Sequence, residues 1–191
     1  MNTSAVDIWN LALDMLGAGP PITSVNDGSQ LGQLCARVYP VCRNEVLRAH
    51  EWNCAITRAD LTQLADAPVS EYSYQYQLPV SPLCLRVLNM PEATTAVYRI
   101  EGDRLLTDED EVSIRYIQEL TDTSKYPPDL IELVALKLAE TIAFKVTNDK
   151  AKEAAMFQKY EFKLMDAKAA NRNEYRQPDP ETSTPWVSEG R

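Results

Sequence analysis

The order of apolar and polar residues predicts four helices, with a region of strands between the second and the third. The first helix begins after Ser4, whose hydroxyl can cap the free amide of Asp7 in a capping box, and it ends at Gly17. Its apolar residues recur every three or four positions, which places them on one stripe. This stripe consists of Ala5, Ile8, Trp9, Ala12 and Leu16.

A long second helix follows a loop of turn-forming residues, in which Asp27 and Ser29 are alternative caps. Pro40 interrupts the helical pattern, and we expect a kink there. The apolar stripe consists of Leu31, Leu34, Cys35, Val38, Cys42, Val46 and Ala49. The helix stops at the sequence His-Glu-Trp-Asn, residues 50–53, and a short helical segment is predicted over residues 55–64.

The apolar pattern changes from helical to alternating between residues 70 and 118. Tyr72, Tyr74 and Tyr76 project to one side of a predicted strand, and the residues between them project to the other. Further strands are predicted at residues 83–88, 96–101 and 112–118, separated by prolines and turns. We therefore expect a small antiparallel sheet inserted between two helical hairpins. The acidic run at residues 108–111 is interpreted as a solvated turn rather than a metal site.

Two more helices follow the strands. Pro127 and Pro128 open the third, and Asn148 with Asp149 breaks it before a fourth helix that runs from residue 150 to about residue 172. The core-facing positions predicted for the third helix are Leu130, Ile131, Val134, Leu138, Ile142 and Val146. The fourth helix is predicted to have a wide face of small and apolar residues that can pack closely on neighbours, with its lysines on the solvent side. This face consists of Ala151, Ala154, Ala155, Phe157, Phe162, Met165 and Ala169.

The helical pattern stops after residue 173. Pro178, Pro180 and Pro185 cannot support a regular helix, so an extended tail is predicted from Tyr175 to Arg191. Trp186 and Val187 form an unusual apolar pair for such a tail. A partner that orders this segment, with Trp186 as its anchor, is one interpretation. A disordered end without a partner is the other.

The predicted fold class is therefore α+β, mainly α, with a four-helix bundle, an inserted small antiparallel β-sheet and an extended C-terminal tail. The bundle takes residues 1–69 and 119–172, the β domain residues 70–118, and the tail residues 173–191. The structural core is predicted to include Trp9, Leu34, Val38, Cys42, His50, Trp52, Ile142 and Phe162.

The charge is distributed unevenly along the chain. The formal net charge is -9; residues 1–120 hold 8 basic and 16 acidic residues, a balance of -8, and the remainder hold 11 and 12. Tight sequence-independent DNA binding relies on Lys and Arg that neutralise phosphates, so this balance argues against it. No apolar run approaches the roughly 18 residues of a membrane span, and the first residues lack the blocks of a signal peptide. We expect synthesis in the cytoplasm and no membrane span.

The residues that catalysis needs are sparse. His50 is the sole histidine, and a histidine at a helix end is expected to bond the last carbonyls of the helix rather than to act as a base. Nucleophile-elbow and phosphate-loop motifs do not occur. The four cysteines lack CxxC spacing, and Cys35 and Cys42 lie about 10.5 Å apart along a helix, too far for a disulfide. We predict no enzyme activity, no cofactor, no metal and buried free thiols.

The order and spacing of short motifs resemble the tail tubular protein A family, the head-to-tail adaptors or connectors of short-tailed phages. The resemblance covers most of the chain, although each fragment alone is weak. Val80-Ser81-Pro82 and Ile56-Thr57 depart from the family pattern at turn and packing positions. The matching motifs are Ala5-x-x-Ile8-x-Asn10-x-Ala12-Leu13-x-x-Leu16-Gly17, Ile22-x-Ser24, Cys35-x-x-Val38-Tyr39-Pro40-x-Cys42-Arg43, Leu47-x-x-His50-x-Trp52-Asn53-x-Ala55, Arg58-Ala59-x-Leu61, Tyr74-x-Tyr76-x-Leu78-Pro79, Leu85-Arg86-Val87-Leu88, Tyr126-Pro127 and Leu138-Ala139.

The resemblance implies a structural virion protein at the head-tail junction, present in the host cytoplasm during assembly. Such adaptors form a ring of twelve copies beneath the portal, extend the DNA channel and receive a nozzle protein of the tail tubular protein B type. DNA passes through without sequence-specific binding. The portal-binding tail implied here includes Tyr175, Pro178, Pro180, Pro185, Trp186, Val187 and Arg191.

Two other functions stay open on the sequence. One is a small helical binding or regulatory module with an inserted sheet, and the other is a cytoplasmic enzyme that uses carboxylates. A binding module should stay monomeric when it is mixed with portal, whereas an enzyme needs a polar pocket and a substrate-dependent activity.

Overall fold

The structure, a computed structural model, describes residues 3–69, 71–91 and 95–174. In this part of the chain the fold is α+β, with four α-helices and two small three-stranded antiparallel sheets. The helices are α1 (Ala5–Leu16), α2 (Gln30–Ala49), α3 (Pro128–Thr147) and α4 (Lys150–Asn173). The strands are β1 (Ile56–Asp60), β2 (Tyr74–Gln77), β3 (Cys84–Asn89), β4 (Tyr98–Glu101), β5 (Arg104–Thr107) and β6 (Ser113–Gln118).

Local capping signals fix the ends of the first two helices as the sequence predicts. The Ser4 hydroxyl accepts a hydrogen bond from the Asp7 amide, and the Asp7 carboxylate accepts one from the Ser4 amide, which completes the capping box. Gly17 ends α1 in the left-handed conformation with φ 64°. Of the two alternative caps for α2, Ser29 is the one that accepts the amide of Gly32, while Asp27 accepts the amide of Ser29.

The helices are arranged around α3, which packs against α1, α2 and α4. Nine of its residues are buried, so it has no broad solvent face. Proline opens α3 at Pro128, and Asn148 ends it with φ 53°. The predicted starts and ends of α3 and α4 are thus confirmed to within about a residue. Helix α2 continues through Pro40 as one element.

The segment after Trp52 contradicts the sequence prediction. Residues 56–60 form strand β1 rather than part of a helix, and the strand pairs antiparallel with β6 from Ile56 opposite Ile117 to Asp60 opposite Ser113. The next residue continues the extended course, since the Leu61 amide donates to the carbonyl of Val112. Two β-branched residues at the start favour the strand, and the ladder with β6 supplies the hydrogen bonds that a helix would have made internally.

The strands form two sheets rather than the single inserted sheet that the alternating pattern predicts. One sheet has the order β1-β6-β3 and the other β2-β5-β4. Strand β6 belongs to the first sheet, and its alternate residues face different layers. Ile117 packs in the helical core, while Ile114 and Tyr116 pack in a second core with Tyr76 and Leu105 of the other sheet. The first sheet therefore lies between the helices and the second sheet.

Candidate interaction surface

Helix α4 has one buried stripe, which is directed at α3. The Asp149 carboxylate caps the helix by accepting the amides of Ala151 and Lys152. The buried residues of the helix are Met156, Tyr160 and Ala167. Their spacing of four and seven places all three on the same side of the helix.

Charged side chains fix the rotation of α4 on the other helices. Lys163 donates to Asp129 at 2.8 Å and lies 2.7 Å from Glu132, and these two carboxylates on α3 raise the pKa of the Lys163 ammonium. At the start of α4, Lys152 donates to the carbonyl of Leu16 at 2.7 Å. These contacts hold the side of α4 that carries the lysines against α1 and α3.

The opposite side of α4 carries an apolar stripe that is exposed to solvent. We call this row the outer stripe: it consists of five apolar residues and one polar residue, Ala151, Ala155, Gln158, Phe162, Met165 and Ala169. Phe162 is 67% exposed and Met165 59% exposed. The sequence predicts Phe162 for the structural core, and the structure corrects this; Met165 is predicted for the core or an interface, and it is not in the core. Phe162 follows Tyr160 by two residues, about 200° around the axis, so the two stripes cannot both face α3.

The sequence prediction for Phe162 is wrong because apolar residues occur on two opposite sides of α4, and the sequence does not show which side is buried. The outer stripe is the more regular of the two, and its spacing alternates between four and three residues over six positions. That spacing is typical of a seam that packs against another helix. Its two large apolar side chains are Phe162 and Met165, and Phe162 borders a surface pocket together with Met15 and Leu136. Neighbouring exposed apolar side chains of this size indicate an interaction site.

A second set of exposed apolar side chains lies on another side of the helices. Val41 on α2, Phe144 on α3 and Phe157 on α4 are all exposed, and we call these three the flank patch. The same three helices also meet at one polar cluster. There Lys137 of α3 binds Glu45 of α2 at 2.9 Å and lies 5.2 Å from the ring centre of Tyr160 on α4. Phe157 precedes Phe162 by five residues, about 140° around α4. The flank patch and the outer stripe therefore face in different directions.

The other predicted core residues lie at several depths. Trp9, Leu34, Cys42, Trp52 and Ile142 are buried, while Val38 and His50 are partly buried. The Trp52 indole donates to the carbonyl of Val46 at 2.9 Å, which fastens the chain after α2 to the end of that helix.

His50 differs from its predicted role. Its ring packs edge-on against Trp52, with ring centres 4.9 Å apart, and its Nε2 lies 3.3 Å from the side-chain nitrogen of Asn171 on α4 rather than at carbonyls of α2. Burial lowers the pKa of His50, and the cations Lys168 and Arg172 lower it further. A neutral imidazole gains nothing from the helix dipole, so its role here is packing and contact with α4.

The four cysteines are free thiols, as the sequence predicts; Cys35 and Cys42 are buried, whereas Cys54 and Cys84 are only partly buried. Burial raises the pKa of Cys35 to about 11, and burial also raises the pKa of Cys42, whose Sγ lies 3.4 Å from the Thr141 hydroxyl. Thiols of this kind are protonated at neutral pH and poorly nucleophilic. Among the described residues, no group of three or more His, Cys, Asp and Glu side chains is arranged to hold a metal ion.

The predicted portal-binding residues Tyr175, Pro178, Pro180, Pro185, Trp186, Val187 and Arg191 lie outside the described residues. The acidic run at residues 108–111 is an exposed connection between β5 and β6, as predicted, and Asp108 accepts hydrogen bonds from the amide and hydroxyl of Ser73. Within the described ranges, none of the helices combines the length and the apolarity that a membrane crossing demands.

The sequence matches no model of a known protein family and no curated protein. The exposed apolar side chains of the helices indicate an interaction surface.

Proposed function

We propose that this protein is a structural phage head-to-tail adaptor. In this proposal its copies form a ring, of twelve subunits, between the portal and the tail nozzle, extend the DNA channel and complete the filled head. The four helices form the bundle of each subunit, and residues 173–191 form the extended segment that engages the portal. The protein is not an enzyme and is located at the head-tail junction of the virion, after assembly in the host cytoplasm.

The observation that carries the proposal is the outer stripe of α4. Phe162 and Met165 lie exposed on the same side of α4, and neighbouring exposed apolar side chains promote association. A second copy of the chain is the occupant that an assembly protein provides. The regular four-three spacing of the stripe suits a helix of the neighbouring subunit.

A ring also needs two different surfaces on each subunit, since a head-to-tail contact joins one patch to another patch on the next copy. In this proposal the flank patch supplies the second apolar surface, since Phe157 lies about 140° around α4 from Phe162. A contact between the outer stripe of one subunit and the flank patch of the next can repeat until the ring closes. A self-complementary dimer, by contrast, needs only one of the two patches.

The acidic balance fits a channel through which DNA slides. Carboxylates on the wall repel the phosphates, whereas a basic wall would retain the DNA. The net charge of -8 in residues 1–120 supports an acidic lumen. A ring structure with a basic lumen would contradict this part of the proposal.

The proposal is tested by the mass of the protein alone and after mixing with the purified portal of the same phage, followed by electron microscopy. We expect a ring seated on the portal. A protein that stays monomeric in both samples excludes the adaptor and favours the helical binding module. A substrate-dependent activity without assembly favours the enzyme.

A further inference from the structure

A basic cleft lies where the ends of α2 and α4 meet the first sheet. It has a volume of about 700 Å³, and its charged lining residues are Arg86, Arg115 and Arg172 against the single acidic residue Glu51, with His50 beside them. Such a cluster is unexpected in a chain with a net charge of -9 and only 8 basic residues in its first 120. The cleft shares no residue with the outer stripe or the flank patch.

Strand pairing brings two of these arginines together. Arg86 on β3 lies opposite Ile117 on β6, two residues along from Arg115, so both arginines occupy the same face of the sheet. Their charges are poorly balanced. Arg115 lies 3.6 Å from the half-exposed carboxylate of Glu51, and Arg86 has no ion pair among the described residues.

The Nε of Arg86 is a buried donor with no hydrogen-bond partner. A buried polar group without a partner is costly, and a guanidinium presents its donors in a fixed fork that matches the two oxygens of a carboxylate. Arg86 lines the cleft, so a carboxylate bound there can pair with its guanidinium.

The wall of the cleft formed by α4 is held in place by a set of amide hydrogen bonds. The Asn53 amide donates to Oδ1 of Asn171 at 3.0 Å, and Nδ2 of Asn171 donates to the carbonyl of Glu51 at 2.9 Å. The Asn53 side chain also donates to the backbone carbonyl of Asn171 and to Glu174. The cleft is therefore formed before any ligand arrives, which lowers the entropic cost of binding.

The positive charge of the cleft also acts on His50. Lys168, Arg172 and Arg86 all lower its pKa in addition to the effect of burial, while Glu51 alone raises it. The imidazole is thus surrounded by more positive than negative charge from α4, β3 and the chain after α2.

We propose that this cleft binds a short acidic peptide segment, whose carboxylates pair with Arg86 and Arg115. Nucleic acid also carries oxyanions, but a strand extends well beyond one cleft and would meet the net negative charge of the remaining surface. An acidic peptide needs only a few residues and makes its contacts within the cleft. The proposal does not depend on the adaptor function, because any partner or a second copy can supply the segment.

The test uses a fluorescein-labelled peptide with four consecutive glutamates between glycines, and binding to the untagged full-length protein is measured by anisotropy at low salt. We expect saturable binding that weakens at least about tenfold in Arg86→Gln and in Arg115→Gln, since each loses a charge-assisted pair. Arg99→Gln, which makes the same charge change on β4, should bind the peptide as the wild type does.

The sole histidine gives a second measurement on the unmodified protein. Carboxylates in the cleft favour the imidazolium, so the NMR titration midpoint of His50 should rise when the glutamate peptide is added and should stay unchanged with the matching glutamine peptide. This measurement does not require any arginine variant to fold. Arg86→Lys, which keeps the charge but loses the fork, should bind with intermediate affinity.

Three results would overturn the proposal: no saturable binding by the wild type up to millimolar peptide, equal weakening by Arg99→Gln, or tighter binding of an oligothymidylate of equal charge. A peptide with the sequence of residues 107–112 identifies the source of the segment. Competition by this peptide indicates a second copy of the chain, and its failure alongside binding of the glutamate peptide indicates another protein; both outcomes support the site.

Discussion

The substitution Phe162→Ser separates a role in assembly from a role in folding. The Phe162 ring is 67% exposed in the single subunit. Complete burial of such a side chain contributes about 1.5–3 kcal/mol, so covering the exposed two thirds at a subunit contact contributes about 1–2 kcal/mol. The association constant of one contact should therefore fall about 5- to 30-fold in the variant.

The stability of the single subunit should hardly change. Phe and Ser have similar helix propensities, and an exposed substitution away from caps and buried networks alters the free energy of unfolding by no more than about 0.5 kcal/mol. We expect sedimentation velocity over a concentration series to show weaker self-association, while urea unfolding at low concentration shows an unchanged midpoint.

Val97→Ser is the control, because Val97 is 71% exposed but lies beside β4, outside the helices. It removes apolar surface without touching the outer stripe and should leave association unchanged. Equal association of wild type and Phe162→Ser would refute the argument from the stripe. A large loss of stability in the Phe162→Ser subunit would mean instead that the ring packs within its own chain.

Three further predictions concern the tail, the first helix and the histidine. Deleting residues 178–191 should leave a folded protein that fails to join portal rings; co-sedimentation of the truncated protein with portal would contradict this. Ser4→Ala removes the capping box with Asp7 and should destabilise the fold by about 1 kcal/mol in urea unfolding, whereas Ser4→Asp retains most of the cap. The lowered pKa of His50 means that the unfolded chain takes up the proton first as the pH falls below the ordinary value of 6.5. This contribution to stability is complete above pH 6.5 and is lost below it, so His50→Gln should unfold with a weaker dependence on pH in that window; an unchanged dependence would place the ring in solvent.

The parts of the fold that the sequence predicts correctly are set by neighbouring residues. The capping box at Ser4, the left-handed Gly17 and the proline at the start of α3 act within one turn, and the amino-acid order reveals them directly. The same holds for the free thiols of α2, because the rise per residue of a helix alone separates them.

The sequence predictions are wrong where contacts between residues distant in the sequence determine the structure. Strand β1 has too few residues to distinguish it from a helix, and it is a strand because β6, more than fifty positions later, pairs with it. On α4 the pattern offers two stripes, and the less regular one is in the core because Met156, Tyr160 and Ala167 pack there with residues of the other helices. No local pattern connects Arg86 with Arg115, since only the β3–β6 ladder brings them into one cleft.

The central position of α3 limits how early the helical core can fold during synthesis on the ribosome. Helices α1 and α2 are synthesised first, but both pack against α3, which begins only at Pro128. Until residue 147 has left the exit tunnel, the apolar faces of the first two helices lack their main native partner, and chains interrupted before that point are prone to aggregate. All six strands lie between α2 and α3 in the sequence and are synthesised during this interval. The sheets can therefore form while the helical core is still incomplete.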